Sequence, residues 1–505
     1  MNSRRILCLF LSTLLLTGCV HTPVAQPSAT LPPARQPYEA PIGDVGLNHQ
    51  SIAALYLPSL DGQQLLTFYE PLTLSHRQHP AETILRALLA HPGNSRVRSL
   101  GGEVTLALSG SNPVEVSGGV CTVNLAPSVL QLSTQDLYTV CLAISATLSE
   151  TDGIRYVNLL VAGLPVSMDV TGYLPLGSVS AQTCMELPVL WEQLIARRTP
   201  VGENPAAMPL TATATLYFPL TDGTGIVPEI RRLSFAGQHP QQLVLGLLDA
   251  LAAGADELTN VAAMPDLPSM MLSSPEVTEL DSGGKRVTLH FVGDVRSRIA
   301  AAGIDPACCF AAMVNTLTTF VPALQQVCIR VGDGALTSLH NAARGSLLFP
   351  GGLHTRQDYA GYLMAQSTLY HLESGALHAH TVALPYRSVN DPRALLLTLA
   401  AAPAGHEVLP AGLTDADLLG LSVDGDTLLI NLSARYAEII RQSGMDQQLM
   451  AYAIVGSMCD NLHVNRIRFY FAGETLEHLG SDLVWSGEFL HNPGMLNRSY
   501  PGGTS

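Results

Sequence analysis

The sequence predicts an α+β fold of three repeated modules, in which helices pack on one face of a mainly antiparallel sheet. The first observation is a tyrosine-containing strand that recurs three times, each time followed by a proline suited to open a helix. These tyrosine and proline pairs are Tyr56 and Pro80, Tyr217 and Pro240, and Tyr370 and Pro392. The second observation is their nearly constant separation of 24, 23 and 22 residues. We therefore expect the order ββαββαβ in every module.

Each module is expected to begin with a strand, a glycine-containing turn, a second strand and an amphipathic helix. The pattern is clearest in residues 215–253, where apolar residues after Pro240 fall three and four positions apart and so share one helix face. In the third module, Asp391 precedes the proline and is expected to cap the helix. Positions +3, +4 and +7 from each proline are expected to be buried: Thr83, Ile84 and Ala87; Leu243, Val244 and Leu247; Leu395, Leu396 and Leu399.

The second half of each module is expected to hold two strands, a second helix and a last strand that ends in glycine. The strand before the second helix places a polar residue between apolar ones, at residues 123–125, 289–291 and 430–432. The second helices are expected to bury Leu137, Val140, Cys141 and Ile144 in the first module and Phe310, Met313, Val314, Leu317 and Phe320 in the second, and to span about Met445 to Leu462 in the third.

The chain is predicted to contain seven segments. They are a lipoprotein signal peptide at 1–18, a proline-rich tether at 19–49, a first module at 50–178, a linker with a short helix at 179–209, a second module at 210–352, a third module at 353–497 and a tail at 498–505. The amphipathic linker helix, residues 187–198, is expected to pack on the first module, with docking to a partner as the alternative. Residues 344–362 are expected to form a plain loop.

The first 18 residues have the pattern of a secretion signal. Two arginines precede an apolar run, residues 6–16, that is shorter than the roughly 20 residues needed to cross a bilayer. The run ends in Leu-Thr-Gly-Cys, which resembles the lipobox of bacterial lipoproteins. We therefore expect Cys19 to be lipidated and to anchor the chain to the outer face of the cytoplasmic membrane. An ordinary signal peptide with a chance cysteine is the alternative.

Charge excludes two classes of partner. Removal of residues 1–18, which carry two arginines and no acid, leaves 24 basic and 41 acidic side chains, so the net charge is −17. Such a chain lacks the basic stripe that phosphate backbones require, so neither nucleic-acid binding nor polybasic membrane binding is expected.

The cysteines are too few for a disulfide scaffold. Seven remain besides Cys8 and Cys19, and they lie mostly in apolar patterns: Cys121, Cys141, Cys184, Cys308, Cys309, Cys328 and Cys459. Buried thiols are expected, although a bridge such as Cys121 to Cys141 or Cys309 to Cys328 stays open. The pair at 308–309 begins a helix, where a thiol pKa is often lowered, but its position beside the apolar stripe favours packing.

No motif for catalysis is found, and no cofactor is expected. The sequence lacks a G-x-S-x-G elbow, an H-E-x-x-H helix and a C-x-x-C pair. Residues 283–286, Gly-Gly-Lys-Arg, are better explained as a hairpin turn than as a phosphate loop. Asp415 and Asp417 are expected to face water, which makes a weak case for a glycosidase.

Three histidines form the one cluster that could bind a metal. His378 and His380 alternate onto one strand face, and His371 could lie across from them. Without a cysteine or an acid at a suitable spacing, a solvent-facing strand surface is the preferred interpretation, and no metal site is assigned.

The repeated motifs resemble those of a known family. The strand Leu216-Tyr217-Phe218-Pro219, the helix segment VNTLTTF at 314–320 and the turn Val331-Gly332-Asp333-Gly334 are similar to those of the sporulation and spore germination domain called GerMN. That domain is named after the GerM lipoprotein, which carries two copies. The resemblance covers most of residues 50–497 in three copies, and the second copy matches best.

The resemblance implies a non-enzymatic, membrane-anchored scaffold or adaptor outside the cytoplasm. Its partners would be envelope or sporulation proteins, bound through protein surfaces. The alternative is a solute-binding or cell-wall-binding lipoprotein, with a wall hydrolase as the less favoured variant. A single large cleft lined by convergent polar groups would support that alternative.

Overall fold

The predicted order ββαββαβ occurs three times in the computed structural model, which describes residues 39–168, 174–180, 192, 207–462 and 464–497. All of the elements belong to one compact unit, Pro41–Ser505. An α+β fold of three repeated modules is therefore confirmed.

The first module follows the predicted order and ends in two short edge strands. Its helices are α1 (Ala81–Ala90) and α2 (Thr134–Ser149). Its strands are β1 (Asn48–Pro58), β2 (Leu65–Ser75), β3 (Val114–Ser117), β4 (Val120–Leu125), β5 (Tyr156–Val161), β6 (Leu164–Pro165) and β7 (Val179–Ser180).

The second module is the largest, because an extra helix and an extra hairpin are added. Its helices are α3 (Pro240–Ala252), α4 (Val295–Ala301) and α5 (Pro306–Phe320). Its strands are β8 (Leu210–Pro219), β9 (Ile226–Phe235), β10 (Glu276–Glu279), β11 (Lys285–Phe291), β12 (Leu324–Val331), β13 (Gly334–Ala335), β14 (Ser338–Asn341), β15 (Gly345–Leu348) and β16 (Leu353–His354).

The third module repeats the order with two consecutive helices in its second half. Its helices are α6 (Pro392–Ala400), α7 (Ala434–Gln442) and α8 (Gln447–Asn461). Its strands are β17 (Met364–Glu373), β18 (Ala376–Pro385), β19 (Leu418–Asp424), β20 (Thr427–Leu432), β21 (Arg466–Phe471), β22 (Glu488–Leu490) and β23 (Leu496–Asn497).

Each module contains a long two-stranded hairpin and a separate mixed sheet. The hairpins are β1 with β2, β8 with β9, and β17 with β18. In each mixed sheet the central pair is parallel, namely β4 with β5, β11 with β12, and β20 with β21, and the remaining pairs are antiparallel. A parallel pair needs a crossover, which the second helix of each module supplies.

A hydrogen bond between the hairpin and the second helix recurs in all three modules. The backbone N–H of each repeated tyrosine donates to a hydroxyl of that helix: Tyr56 to Thr147 at 2.9 Å, Tyr217 to Thr316 at 3.0 Å, and Tyr370 to Ser457 at 2.9 Å. The hydroxyl satisfies a strand N–H that would otherwise be buried without a partner. The hairpin is thereby fixed on the helix at the same point in each module.

The first helix of each module begins near its proline, but in the first module the helix starts one residue later relative to that proline. Pro240 and Pro392 occupy the first helical turn, with His239 and Asp391 as N-caps. Pro80 is instead the N-cap residue, so the buried face shifts by one position to Ala81, Ile84, Leu85 and Leu88. The prediction that Thr83 and Ala87 are buried is therefore wrong, because both are only half-buried.

Helix α5 is buried on nearly all sides. It packs against β8 and β12 of its own module and against β6 of the first module. A helix that is apolar all round must be covered all round. This requirement explains why α5 lies where the first two modules meet.

The tether prediction is wrong for its last residues, because residues 41–47 belong to the folded unit. They run alongside β19 of the third module, where Gly43 N–H donates to Leu419 O at 2.8 Å and Val45 N–H to Leu421 O at 3.0 Å. We call residues 41–47 the clasp. Strand β1 follows at once, so the clasp ties the first module to the third.

Residues 344–362 are also more ordered than a plain loop. They contain β15, β16 and 3₁₀ turns. His354 and Tyr359 are buried there. The His354 ring stacks on Phe349, and the Tyr359 ring contacts Phe349 at a tilt. The glycine-rich composition of this segment predicted a loop, so the burial of these aromatic residues was not expected.

Candidate functional sites at the module junctions

Polar side chains join the first module to the second. Asn158 of β5 donates from Nδ2 to the Thr215 hydroxyl of β8 at 2.9 Å and accepts from the Ser178 hydroxyl at 2.7 Å. Asn158 and Thr215 are 2% and 1% exposed. A buried polar network of this kind is stabilising only when every member is satisfied, so it fixes one relative position of the two modules.

A buried ion pair crosses the same junction. The Arg356 guanidinium contacts the Glu115 carboxylate of β3, and it also donates to Thr319 Oγ1 at 2.7 Å and to the Tyr217 hydroxyl at 3.2 Å. Both charged side chains are about one-tenth exposed. Burial alone would lower the pKa of Arg356, but Glu115 and Tyr217 together outweigh it and raise that pKa.

The clasp carries a carboxylate that binds two arginines. Asp44 contacts Arg77 of the first module and Arg393 of the third, the latter at 2.7 Å, and it accepts the Leu421 N–H at 3.1 Å. Burial favours the neutral acid, but Arg393 and Arg77 outweigh it and lower the pKa of Asp44. The ionised carboxylate therefore links the two modules.

A polar cleft of about 650 Å³ lies between the first and third modules. Its walls carry imidazole, guanidinium, carboxylate, amide and thiol groups. These come from His49, His76, His79, Asp152 and Arg155 on one side and from Gln366, Ser367, Cys459, Asp460 and Asn461 on the other.

The Cys459 thiol in the cleft is not activated as a nucleophile. Burial, Asp460 and Asp426 raise the pKa of the Cys459 thiol to about 12, so it stays protonated. Asp460 accepts the Tyr370 hydroxyl at 2.6 Å and lies 3.3 Å from His491 Nε2. Both carboxylate oxygens therefore already have partners.

In the histidine cluster of the third module, His371 is buried, whereas His378 and His380 are half-buried. His371 is 4% exposed and lies opposite His378 on the hairpin. Its ring stacks on His380 at 5.2 Å, and His406 lies edge-on to His380 at 5.5 Å. Within the described ranges, no group of three or more His, Cys, Asp or Glu side chains is placed to hold a metal.

His371 is expected to make the third module sensitive to acid. Burial, His380 and His406 lower the pKa of His371 from 6.5 to about 4. Because the folded state binds fewer protons than the unfolded chain, its stability is complete above about pH 6.5 and is lost as the pH falls toward 4. His371→Leu removes the titrating group and is expected to reduce the loss of unfolding free energy over that pH range. Leucine should be tolerated there, since Leu57 and Phe218 occupy the equivalent hairpin positions.

The measurement is urea unfolding at several pH values. The control is His340→Leu, an exposed histidine, which should leave the pH profile unchanged. A His371→Leu profile with the same slope as the native protein would show that His371 is not the titrating group.

The cysteines of the described residues are free thiols. They are Cys121, Cys141, Cys308, Cys309, Cys328 and Cys459, so neither suggested disulfide is formed. Burial and Asp305 raise the pKa of Cys309 to about 12, and burial raises the pKa of Cys308 as well. At the start of this helix, burial raises the thiol pKa more than the helix terminus lowers it. The two cysteines therefore serve in packing.

The prediction for Asp417 is wrong, whereas Asp415 is exposed as expected. Asp417 is 2% exposed, and Arg435, Ser433 and Thr414 bind its carboxylate. Arg435 is the main cause of the lowered pKa of Asp417. The sequence signal was the spacing Thr414-x-x-Asp417, which is a capping box.

Residues 283–286 lie where β10 turns into β11, and these strands pair as an antiparallel hairpin. The hairpin-turn interpretation is confirmed. Cys19, residues 1–18, the linker helix at 187–198 and the tail at 498–505 lie outside the described residues, apart from position 192. Their assignments stay predictions.

Within the described residues, no single helix is long and apolar enough to cross a membrane. Together α4 and α5 meet the criteria of length and composition, but they are bent by 106° and α5 is a core helix.

Comparison with known families matches two regions of the chain. The model of the family described as "Germane: Sporulation and spore germination" matches residues 54–167 and 368–477. Each of these two regions is similar to a Germane domain. The matched ranges lie in the first and third modules, although the second was expected to match best. The second module repeats the order of elements of the two matched modules, with an extra helix and an extra hairpin.

Two solved structures are similar to parts of the chain. The tandem GerMN domains of the sporulation protein GerM from Bacillus subtilis share 18% identity, with 56% of this chain and 92% of that chain covered and a TM-score of 0.21. The first GerMN domain of the same protein also shares 18% identity, with 26% and 99% covered and a TM-score of 0.22. No curated protein matches the chain.

Proposed function

We propose that this protein is a non-enzymatic scaffold or adaptor of the Germane family that is anchored by a lipid on Cys19 to the outer face of the cytoplasmic membrane. It acts in sporulation or germination complexes of the envelope through protein contacts. The part of this proposal that concerns sporulation and germination rests on the description of the matched family.

The observation that carries the proposal is the use of buried polar groups at the module junctions. Asn158 with Thr215, Glu115 with Arg356, and Asp44 with Arg393 all hold one module against another. Such groups restrict relative motion, and a fixed arrangement of modules suits a protein that positions others.

A solute-binding or wall-binding role is the second candidate, and the polar cleft favours it. Arg155 and three histidines line one wall, which suits an anionic or strongly hydrogen-bonding ligand. Wall fragments that raise the melting temperature of the native protein, but not of Arg155→Ala, would support this second function.

The anchor and the scaffold role are tested in cells. The native chain is expected to partition with membranes, whereas Cys19→Ala is expected to be released from them. Cys8→Ala, a cysteine inside the predicted signal, is the matched control and should behave like the native chain. Equal partitioning of all three proteins would overturn the anchor.

Cross-linking of the native chain in cells that are forming spores tests the scaffold role. The expected result is a defined set of extracytoplasmic envelope proteins that is lost with Cys19→Ala. Recovery of the native chain without any cross-linked envelope protein would overturn the proposal.

A further inference from the structure

The outer face of a hairpin is already used as a docking surface within the chain. In the second module, the face of β8 and β9 that carries Thr215 and Tyr217 packs against the first module, and both residues are 1% exposed. The contact partner is the outer face of the mixed sheet, where Thr122 and Asn158 are 4% and 2% exposed. One module thus docks its hairpin on the sheet of another.

The equivalent hairpin face of the first module is open. Alignment of Tyr56 with Tyr217 places Ala54 at the position of Thr215. The cross-strand pairs on this face are Ile52 with Pro71 and Ala54 with Tyr69. Ile52 and Tyr69 are 71% and 67% exposed. An apolar and aromatic strand face of this kind is typical of an interaction surface.

The equivalent sheet face of the second module is partly exposed. Alignment of residues 123–125 with 289–291 places Thr288 at the position of Thr122, and the register then places Cys328 at the position of Asn158. Thr288 and Cys328 are half-buried, whereas Thr122 and Asn158 in the first module are buried.

The hairpin turns at the edge of the two sheets differ in the same way. A Cβ on Gly118 of the first module would lie 2.7 Å from Pro228 O of β9. In the corresponding turn of the second module, a Cβ on Gly283 would meet nothing within 4 Å, and the nearest neighbours of a Cβ on Gly284 would be Gln325 and Ala323 of the same module. At these glycines the turn of the first module lies against another module, whereas the turn of the second does not.

We propose that two copies of this chain associate head to tail, with the β1–β2 hairpin of one copy docked on the β10–β11–β12 sheet of the next. The contact repeats the one between the first two modules, so Ala54 of one copy lies beside Cys328 of its neighbour. Among the described residues of the first two modules, one hairpin face and one sheet face therefore stay available in each copy. The association is therefore heterologous and continues into a ring or a filament. It does not depend on the envelope setting proposed above.

Native Cys328 makes the contact testable by cross-linking. The full chain with Ala54→Cys, purified in detergent and oxidised with copper phenanthroline, is expected to form disulfide-linked oligomers that join residue 54 to Cys328. The link should disappear when Cys328→Ser is added. Leu348→Cys is the control, since Leu348 is an exposed apolar residue on another hairpin. No link, or a link that forms equally with Leu348→Cys or without Cys328, would overturn the proposal.

Sedimentation of the native chain gives a second measurement that needs no new cysteine. The native mass is expected to exceed that of one chain and to rise with concentration, and Ile52→Asp should reduce it to one chain. The fluorescence of Trp485, buried in the third module, should be unchanged in a folded Ile52→Asp variant. A native mass of one chain at every concentration would contradict the proposal.

Discussion

Replacement of Glu115 by glutamine is expected to lower the free energy of unfolding by about 3–5 kcal/mol. The change leaves the shape of the side chain but removes its charge, so the Arg356 guanidinium stays buried without a compensating carboxylate. Arg356 also contacts Thr319 and Tyr217 of the second module. The loss is therefore expected to weaken the junction between the modules as well. Urea denaturation provides the measurement.

The matched control is Glu82→Gln. Glu82 pairs with Arg86 on the surface of α1, four residues apart along the helix. Exposed pairs of this kind contribute only about 0.3–0.5 kcal/mol. Equal losses for Glu115→Gln and Glu82→Gln would show that the Arg356 contact adds nothing to the stability of the fold.

Asp44→Ala is expected to lower the free energy of unfolding by about 2–3 kcal/mol. This loss is smaller than that expected for the Glu115–Arg356 pair, because Arg77 and Arg393 are partly exposed. The variant removes both ion pairs of the clasp and the acceptor of the Leu421 N–H. Hydrogen exchange is expected to rise in the clasp and in β19. The control is Asp482→Ala, an exposed carboxylate, which should change neither quantity.

The contribution of Asp44 also has a defined dependence on pH. Its pKa is lower in the folded state than its ordinary value of 3.8. The stabilisation is therefore present above about pH 4 and is lost as the pH falls through the folded pKa. If native and Asp44→Ala proteins lose stability in parallel below pH 4, the carboxylate is not the link between the modules.

The repeat could be predicted because the packing residues have a fixed spacing in each module. Tyrosine, proline and the apolar positions after it follow the periods of strands and helices, so they appear in a single sequence. The one register error, at Thr83 and Ala87, arose because Pro80 is an N-cap and not the first helical residue. The two differ by one position, which the sequence pattern alone does not resolve.

The junctions could not be predicted, because their partners are far apart in sequence and their residue types are ordinary at a surface. Asp44 and Arg393 are separated by 349 residues, and Glu115 and Arg356 by 241. A lone aspartate after a proline-rich stretch has the pattern of a tether. Only the fold shows that these charges are buried and paired.

The histidines illustrate a related difficulty. Alternation correctly places His371, His378 and His380 on one face of the hairpin, but it does not say whether that face is inside or outside. In the other two modules the position equivalent to His371 is occupied by Leu57 and Phe218. These apolar residues indicate that the position is buried. Comparison among the repeats was the signal that could have identified the buried face.

The interlocking of the three modules into one body is tested most directly by unfolding the chain with two native probes. In a Trp191→Phe background, which removes the other tryptophan, Trp485 fluorescence reports on the third module, and the thiols of Cys121 and Cys141, which are fully buried, report on the first. We expect Trp485 fluorescence and the labelling of these two thiols to change at the same urea concentration. Unfolding of the third module while Cys121 and Cys141 stay protected would contradict it.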